Sequence, residues 1–173
     1  MEHNYGGFWQ RSLAFFIDNV ILSFISALLL IIGIAALWLS SSTTLKELSW
    51  GRITNLTVSF FILYHLVLVL VGMLYFTYFH GTAGQTPGKM ILGLKVVQAD
   101  GKAMNLGIAF LRWVGYIVSS LVFYLGFIWI AFDKRKRGWH DRIAGTIVIR
   151  VNDAAKNPSA IPMVREDGGK YPE

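Results

Sequence analysis

The chain contains no cysteine, which excludes disulfide scaffolds, cysteine nucleophiles, thiolate zinc sites and iron–sulfur clusters. Charge is scarce as well. Asp, Glu, Lys and Arg make up 15% of the 173 residues, where a soluble domain carries about a quarter. The familiar chemical signatures are missing too: there is no GxGxxG, HExxH or GxSxG, so the usual hydride-transfer, zinc-protease and hydrolase patterns do not occur. Gly84-Gln85-Thr86-Pro87-Gly88-Lys89-Met90 hints at a phosphate loop, but Ala83 stands where its first glycine is needed and Met90 where it needs Ser or Thr. What the chain has in quantity is apolar surface: 54% hydrophobic residues and a mean hydropathy of +0.51. Such a composition excludes a disordered chain and argues for a single membrane-embedded domain.

Three apolar stretches carry that surface. The first runs over about residues 13–39, the second over 56–79 and the third over 106–132. Each is long enough to cross the roughly 30 Å hydrocarbon core as a helix. Backbone groups in lipid must be paired within the segment, so helices rather than open strands are expected. The first stretch is too long for the 7–15-residue core of a signal peptide and is expected to stay in the chain. Trp9, Trp38, Trp50, Trp113 and Trp139 stand near the expected ends, where amphipathic rings favour the headgroup region.

Positive charge gathers over Lys89, Lys95 and Lys102, with Asp100 the only acid there, and in Lys134-Arg135-Lys136-Arg137 with Arg142, while the loop between the first two stretches has only Lys46 and Arg52, opposed by Glu47. The bias is best satisfied with the N-terminus, the Lys89–Lys102 segment and the C-terminus all on the cytoplasmic side of a cell membrane. Two crossings satisfy this and three do not. The third stretch therefore either enters and returns as a re-entrant segment or short hairpin, bending near Gly115 or Gly126, or crosses once as a long tilted helix. The expected class is an all-α integral membrane protein with a small cytoplasmic-side segment between the second and third stretches. In that segment Met90–Val97 is rich in β-branched residues and Asp100-Gly101 is a turn signal, which predicts a short hairpin or an interfacial segment. Residues 6–150 read as the membrane domain and 151–173 as a flexible polar tail. Small residues at Ser23/Ala27 and Gly115/Ser119 are spaced for close helix contact. Directly after an apolar stretch, the basic cluster reads as an anchor at anionic headgroups rather than a nucleic-acid site.

A charged side chain within a span costs about 2.5–3.5 kcal/mol on insertion scales, so each needs a partner or a purpose. Arg11 and Asp18 are two helical turns apart on one face, roughly 10 Å along the axis. Each is expected to pair with another segment. Arg112 enters the third stretch about as deep as Asp18 enters the first, which makes Asp18–Arg112 one candidate pair. Asp141, close behind the basic cluster, is a candidate partner for Arg11. Asn19 would extend the set, and His65, mid-way along the second stretch, is a candidate proton relay. His140 and Lys89 complete the secondary candidates. No metal site or cofactor is expected.

These residues resemble the RDD family of bacterial multi-pass membrane proteins, named for one arginine and two aspartates. Gly7-Phe8-Trp9-Gln10-Arg11 matches the approach to the first helix, with Arg11 as the family arginine and Asp18 as the first aspartate. His140-Asp141 with Ala144-Gly145-Thr146-Ile147-Val148-Ile149 is similar to the closing block, with Asp141 as the second aspartate. Gly84–Lys89, Leu92–Val97, Asp100-Gly101 and Leu111-Arg112 match the middle of the pattern. The resemblance covers about residues 6–150 and implies a multi-pass protein, with transport proposed for the family. On the sequence the expected function is a small transporter of cations coupled to protons. Its Asp18 would be the ion or proton site, with Arg11, Arg112 and Asp141 setting its charge state. That reading needs a homo-oligomer, since so few short spans cannot enclose a path alone. The alternative is a non-transporting membrane assembly or regulatory partner whose charged set is structural. An enzyme is not expected, because no nucleophile–base or metal-ligand constellation is visible.

Overall fold

The computed structural model describes residues 5–41, 50–100, 102–122, 125–133 and 135–151. Two long helices come first in the chain: α1 at Phe8–Ser41 and α2 at Trp50–Thr82. Their apolar parts, Phe8–Leu39 and Ile53–Thr82, have 32 and 30 residues. At 1.5 Å per residue each spans about 45 Å, more than the bilayer core requires. The shorter elements are α3 at Pro87–Ile91, β1 at Leu94–Gln98, α4 at Leu106–Leu121, α5 at Leu125–Phe132, α6 at Trp139–Ile143 and β2 at Thr146–Arg150. The protein is thus a mostly helical membrane protein with one small sheet.

The chain divides into two compact units, one of Asn19–Leu74 and one of Met1–Asp18 with Tyr75–Glu173. In the first, the middle parts of α1 and α2 touch where Tyr64 and Ser26 place their hydroxyl oxygens 2.6 Å apart. Gly33 leaves room for the ring of Phe60, which a methyl group there would approach to 2.7 Å. Contact therefore runs through Ser26 and Gly33, while Ser23 and Ala27 are exposed. Leu28, Ile31, Ile62, Leu63 and Leu66 are exposed as well, as a lipid-facing surface should be.

The second unit is built around a two-stranded antiparallel sheet. Leu94 faces Arg150, Val96 faces Val148 and Gln98 faces Thr146. Of the two forms predicted for the segment around Asp100-Gly101, a short hairpin or an interfacial segment, the local hairpin is not the pairing that β1 makes. β1 takes its partner from the closing block some fifty residues later, because Thr146–Ile149 offers a fully buried β-branched run that covers both faces of the ribbon. Ala14, Leu94, Val96 and Val148 pack on one face and Tyr5, Ile147 and Ile149 on the other. Tyr5 adds an antiparallel bridge to Ile149.

This pairing does not suit one straight helix over the third stretch. β1 precedes it and β2 follows it, and the two strands are hydrogen-bonded neighbours. A straight helix over residues 106–132 would carry its ends about 40 Å apart. Instead α4 and α5 are inclined by 98° at a short break, and the chain returns through α6 to the sheet. The bend falls between the two glycines named as candidates. Gly115 and Gly126 serve close approach: a methyl at Gly115 would lie 2.7 Å from His140 Cα, and one at Gly126 would lie 2.5 Å from Ser119 Oγ. The tail expected over 151–173 lies outside the described residues beyond Val151.

Candidate functional site

Arg11, Arg112 and Asp141 meet inside the second unit. Asp141 is wholly buried, with Arg11 Nη1 at 2.7 Å from Oδ2 and Arg112 Nη1 at 2.5 Å from Oδ1. The Arg112 contact is an ion pair rather than an aligned hydrogen bond, and the same Nη1 also donates to Thr146 Oγ1. Asp141 also accepts from the amide of Gly138 at 2.9 Å, which caps the first turn of its own helix, α6. Arg11 reaches further: Nε donates to the Gly6 carbonyl at 3.0 Å and Nη2 to that of Val148 at 3.4 Å. One arginine thus ties the N-terminal segment, α6 and β2 together. Arg112 Nε donates to the Tyr116 hydroxyl one turn away.

Asp18 has a different set of partners. Its Oδ1 accepts from the Tyr75 hydroxyl at 2.9 Å and from the Gly88 amide at 2.8 Å. Its Oδ2 accepts from the Thr86 hydroxyl at 2.6 Å. Asp18 is 1% exposed. The expected Asp18–Arg112 pair is therefore replaced. Equal depth in two segments does not make two residues neighbours when one segment bends, and the central loop folds onto Asp18 first. The local cause is Thr86-Pro87-Gly88. Thr86 caps α3 by accepting from the Lys89 amide, Pro87 occupies its first turn, and the Gly88 amide is left free to point at Asp18.

Among the secondary candidates, His140 and Lys89 are in this cluster and His65 is not. His65 is exposed on α2, with Nδ1 at 2.8 Å from the Phe61 carbonyl of its own helix. Asn19 is exposed. His140 is buried between the rings of Tyr116 and Phe127, with centroids 4.7 and 4.9 Å away. Burial, with help from Arg112, holds its pKa down at about 3 despite the opposing pull of Asp141, so it is neutral. Burial would raise the Asp141 carboxyl, but Arg112, His140, Arg11 and the Gly138 amide outweigh it and hold the group below the usual carboxylate range. With His140 neutral, the two arginines and the amide carry that effect. Lys89 Nζ lies 2.7 Å from His80 Nε2. Its pKa is lowered by burial first, with Tyr116 opposing and Arg112 adding to the fall.

Sequence reasoning missed Tyr75, His80, Thr86, Gly88, Tyr116 and Thr146. Thr86-Pro87 was legible as a helix start. The hydroxyl and imidazole groups in apolar stretches give no signal of which one faces the protein. Among the described residues no group of three or more His, Asp or Glu side chains converges in a way that could hold a metal ion.

A family model described as the RDD family matches residues 5–145. The chain belongs to the RDD family. This RDD protein is 36% identical over 146 residues to YxaI of Bacillus subtilis, an uncharacterized protein, covering 83% of this chain and 95% of that one. It is 32% identical over 153 residues to the uncharacterized membrane protein YteJ of the same organism, covering 86% of this chain and 83% of YteJ. The protein RP437 of Rickettsia prowazekii, also uncharacterized, is 36% identical over 99 residues, or 56% of this chain and 54% of its own. No solved structure matches the chain. In this RDD chain the signature splits in two: Arg11 holds Asp141, and Asp18 holds the central loop.

Proposed function

We propose that this RDD protein is a non-transporting membrane module, an assembly or regulatory partner whose charged residues fasten its second unit together rather than carry ions. One observation carries the reading: both buried carboxylates are already occupied by donors from the chain itself. Asp141 takes two arginines and an amide; Asp18 takes two hydroxyls and an amide. A cation at Asp18 would face a backbone N–H and would have to displace donors rather than meet acceptors. The nearby charges are predominantly positive, which disfavours a second cation. The module would sit in the cell membrane with its sheet and basic segments on the cytoplasmic side, as the distribution of Lys and Arg favours. It includes no catalysed reaction.

A second reading, cation transport coupled to protons, is favoured by the Lys89–His80 contact. Two nitrogens 2.7 Å apart share one proton, as a relay would require. In that reading the chain works as a homo-oligomer. Proton movement in proteoliposomes, followed with an internal pH dye across lithium, sodium and potassium, separates the two. The non-transporting reading expects no cation-dependent signal from wild type, and reduced folded yield for Asp18→Asn and Asp141→Asn. Cation-dependent proton flux that Asp18→Asn abolishes at normal yield would overturn it in favour of transport.

A further inference from the structure

Among the described residues of the second unit, the buried charges do not balance. Arg11, Lys89 and Arg112 stand against Asp18 and Asp141. Asp141 accounts for both arginines, and Asp18 is bound by neutral donors. Lys89 is the residue left over. His80 Nδ1 faces the Phe76 carbonyl at 2.8 Å, and a carbonyl only accepts, so that nitrogen carries the ring proton and Nε2 accepts from Lys89 Nζ. The other two Nζ protons have no acceptor among the described residues. A cation this deeply buried without a carboxylate is costly, and the usual remedy is a counter-charge.

All three cations border one cavity of about 230 Å³, whose walls include Phe8, Phe15 and Phe127. That volume holds about seven or eight groups the size of water, enough for an anionic head and the first few carbons behind it. Ile128 lines the same cavity and is itself 42% exposed, which makes the α5 side of the cavity its most exposed wall. There Leu125, Trp129 and Phe132 present further exposed apolar surface. A head-sized polar end with three cations, aromatic walls and an exposed apolar side together match one class of ligand. We infer that this cavity binds an anionic amphiphile, a singly charged carboxylate or phosphate head on an aliphatic chain, with the head at Lys89 and Arg112 and the chain leaving past Ile128. The inference goes beyond the non-transporting reading and does not rest on it. The head could belong to a free fatty acid or to an acidic phospholipid; the chemistry at Lys89 is the same.

The test is displacement of a fluorescent twelve-carbon fatty acid from the full chain in nanodiscs of phosphatidylcholine. Laurate, its methyl ester, phosphatidylglycerol built into the disc, and inorganic phosphate serve as competitors. Laurate or phosphatidylglycerol should displace the probe, and whichever does names the source. The uncharged ester should be weaker by about tenfold or more, the worth of a charge-assisted contact, and phosphate alone should fail. Lys89→Met, which keeps the volume, should lose about tenfold in probe affinity. Ile128→Trp, on an exposed position, should block the chain's exit there while melting as wild type does. Equal binding of laurate and its ester, displacement by phosphate alone, or wild-type affinity in folded Lys89→Met or Ile128→Trp would overturn the proposal.

Discussion

Asp18 and Asp141 are both buried carboxylates of one signature, yet the forces on them differ in kind. Asp141 holds formal charges, and removing a partner of a buried pair costs about 3–5 kcal/mol. Asp18 holds neutral donors, worth about 1.5–3 kcal/mol each when the acceptor is charged. His140 adds a pH dependence. Its folded-state pKa of about 3 lies below the ordinary 6.5, so the unfolded chain takes up a proton that the folded one refuses. The contribution is whole above pH 6.5 and falls as pH drops toward 3, by at most about 1.4 kcal/mol per pH unit. Asp141, also held low, keeps its contribution through that window and loses it only below the usual carboxylate range. Thermal unfolding in mild detergent should therefore weaken between pH 6.5 and 4, and His140→Gln should make the profile shallower. A wild-type curve already flat there would contradict the burial of a neutral imidazole.

At the scale of elements, the least legible feature was how the middle of the chain finds its partners. The apolar length of α1 and α2 is a local property and could be read directly. The partner of β1 is a long-range property, and nothing local to Leu94–Gln98 or to Thr146–Arg150 points from one strand to the other. Likewise the pairing of Arg11 with Asp141 was a stated expectation that the geometry meets, while Arg112 went to Asp141 rather than Asp18 because α3 covers Asp18. Gly88 makes that cover possible. A methyl there would fall on the Ala14 carbonyl oxygen and 2.9 Å from Asp18 Oδ1, neither of which can yield without unseating α3 from α1. Gly88→Ala should lower stability by about 1–3 kcal/mol through overpacking. Gly107→Ala, where the nearest atom is the Asn105 side chain at 3.4 Å, should melt close to wild type. Equal melting temperatures for all three proteins would show that α3 is not docked through Gly88.

The molecule has two long apolar helices and a unit whose interior holds Arg11, Asp18, Lys89, Arg112 and Asp141. The helices anchor it in the bilayer, and their exposed apolar residues require no protein partner to explain them. In the second unit the apolar core is small, so the Arg11–Asp141–Arg112 cluster and the Asp18 cap do much of the work of holding its segments together. The composition made the membrane location plain, but a list of charged residues does not say whether they conduct or fasten; that depends on which acceptors are already filled. The proposed function requires that they fasten. A double-mutant cycle of Arg11→Met and Asp141→Asn, read by thermal unfolding of purified protein in mild detergent, tests it most directly. Each single variant should destabilise, and the pair should fall short of the sum of the two by about 0.5–3 kcal/mol, as contacting charges do. Strictly additive losses, or single variants that melt as wild type does, would contradict it.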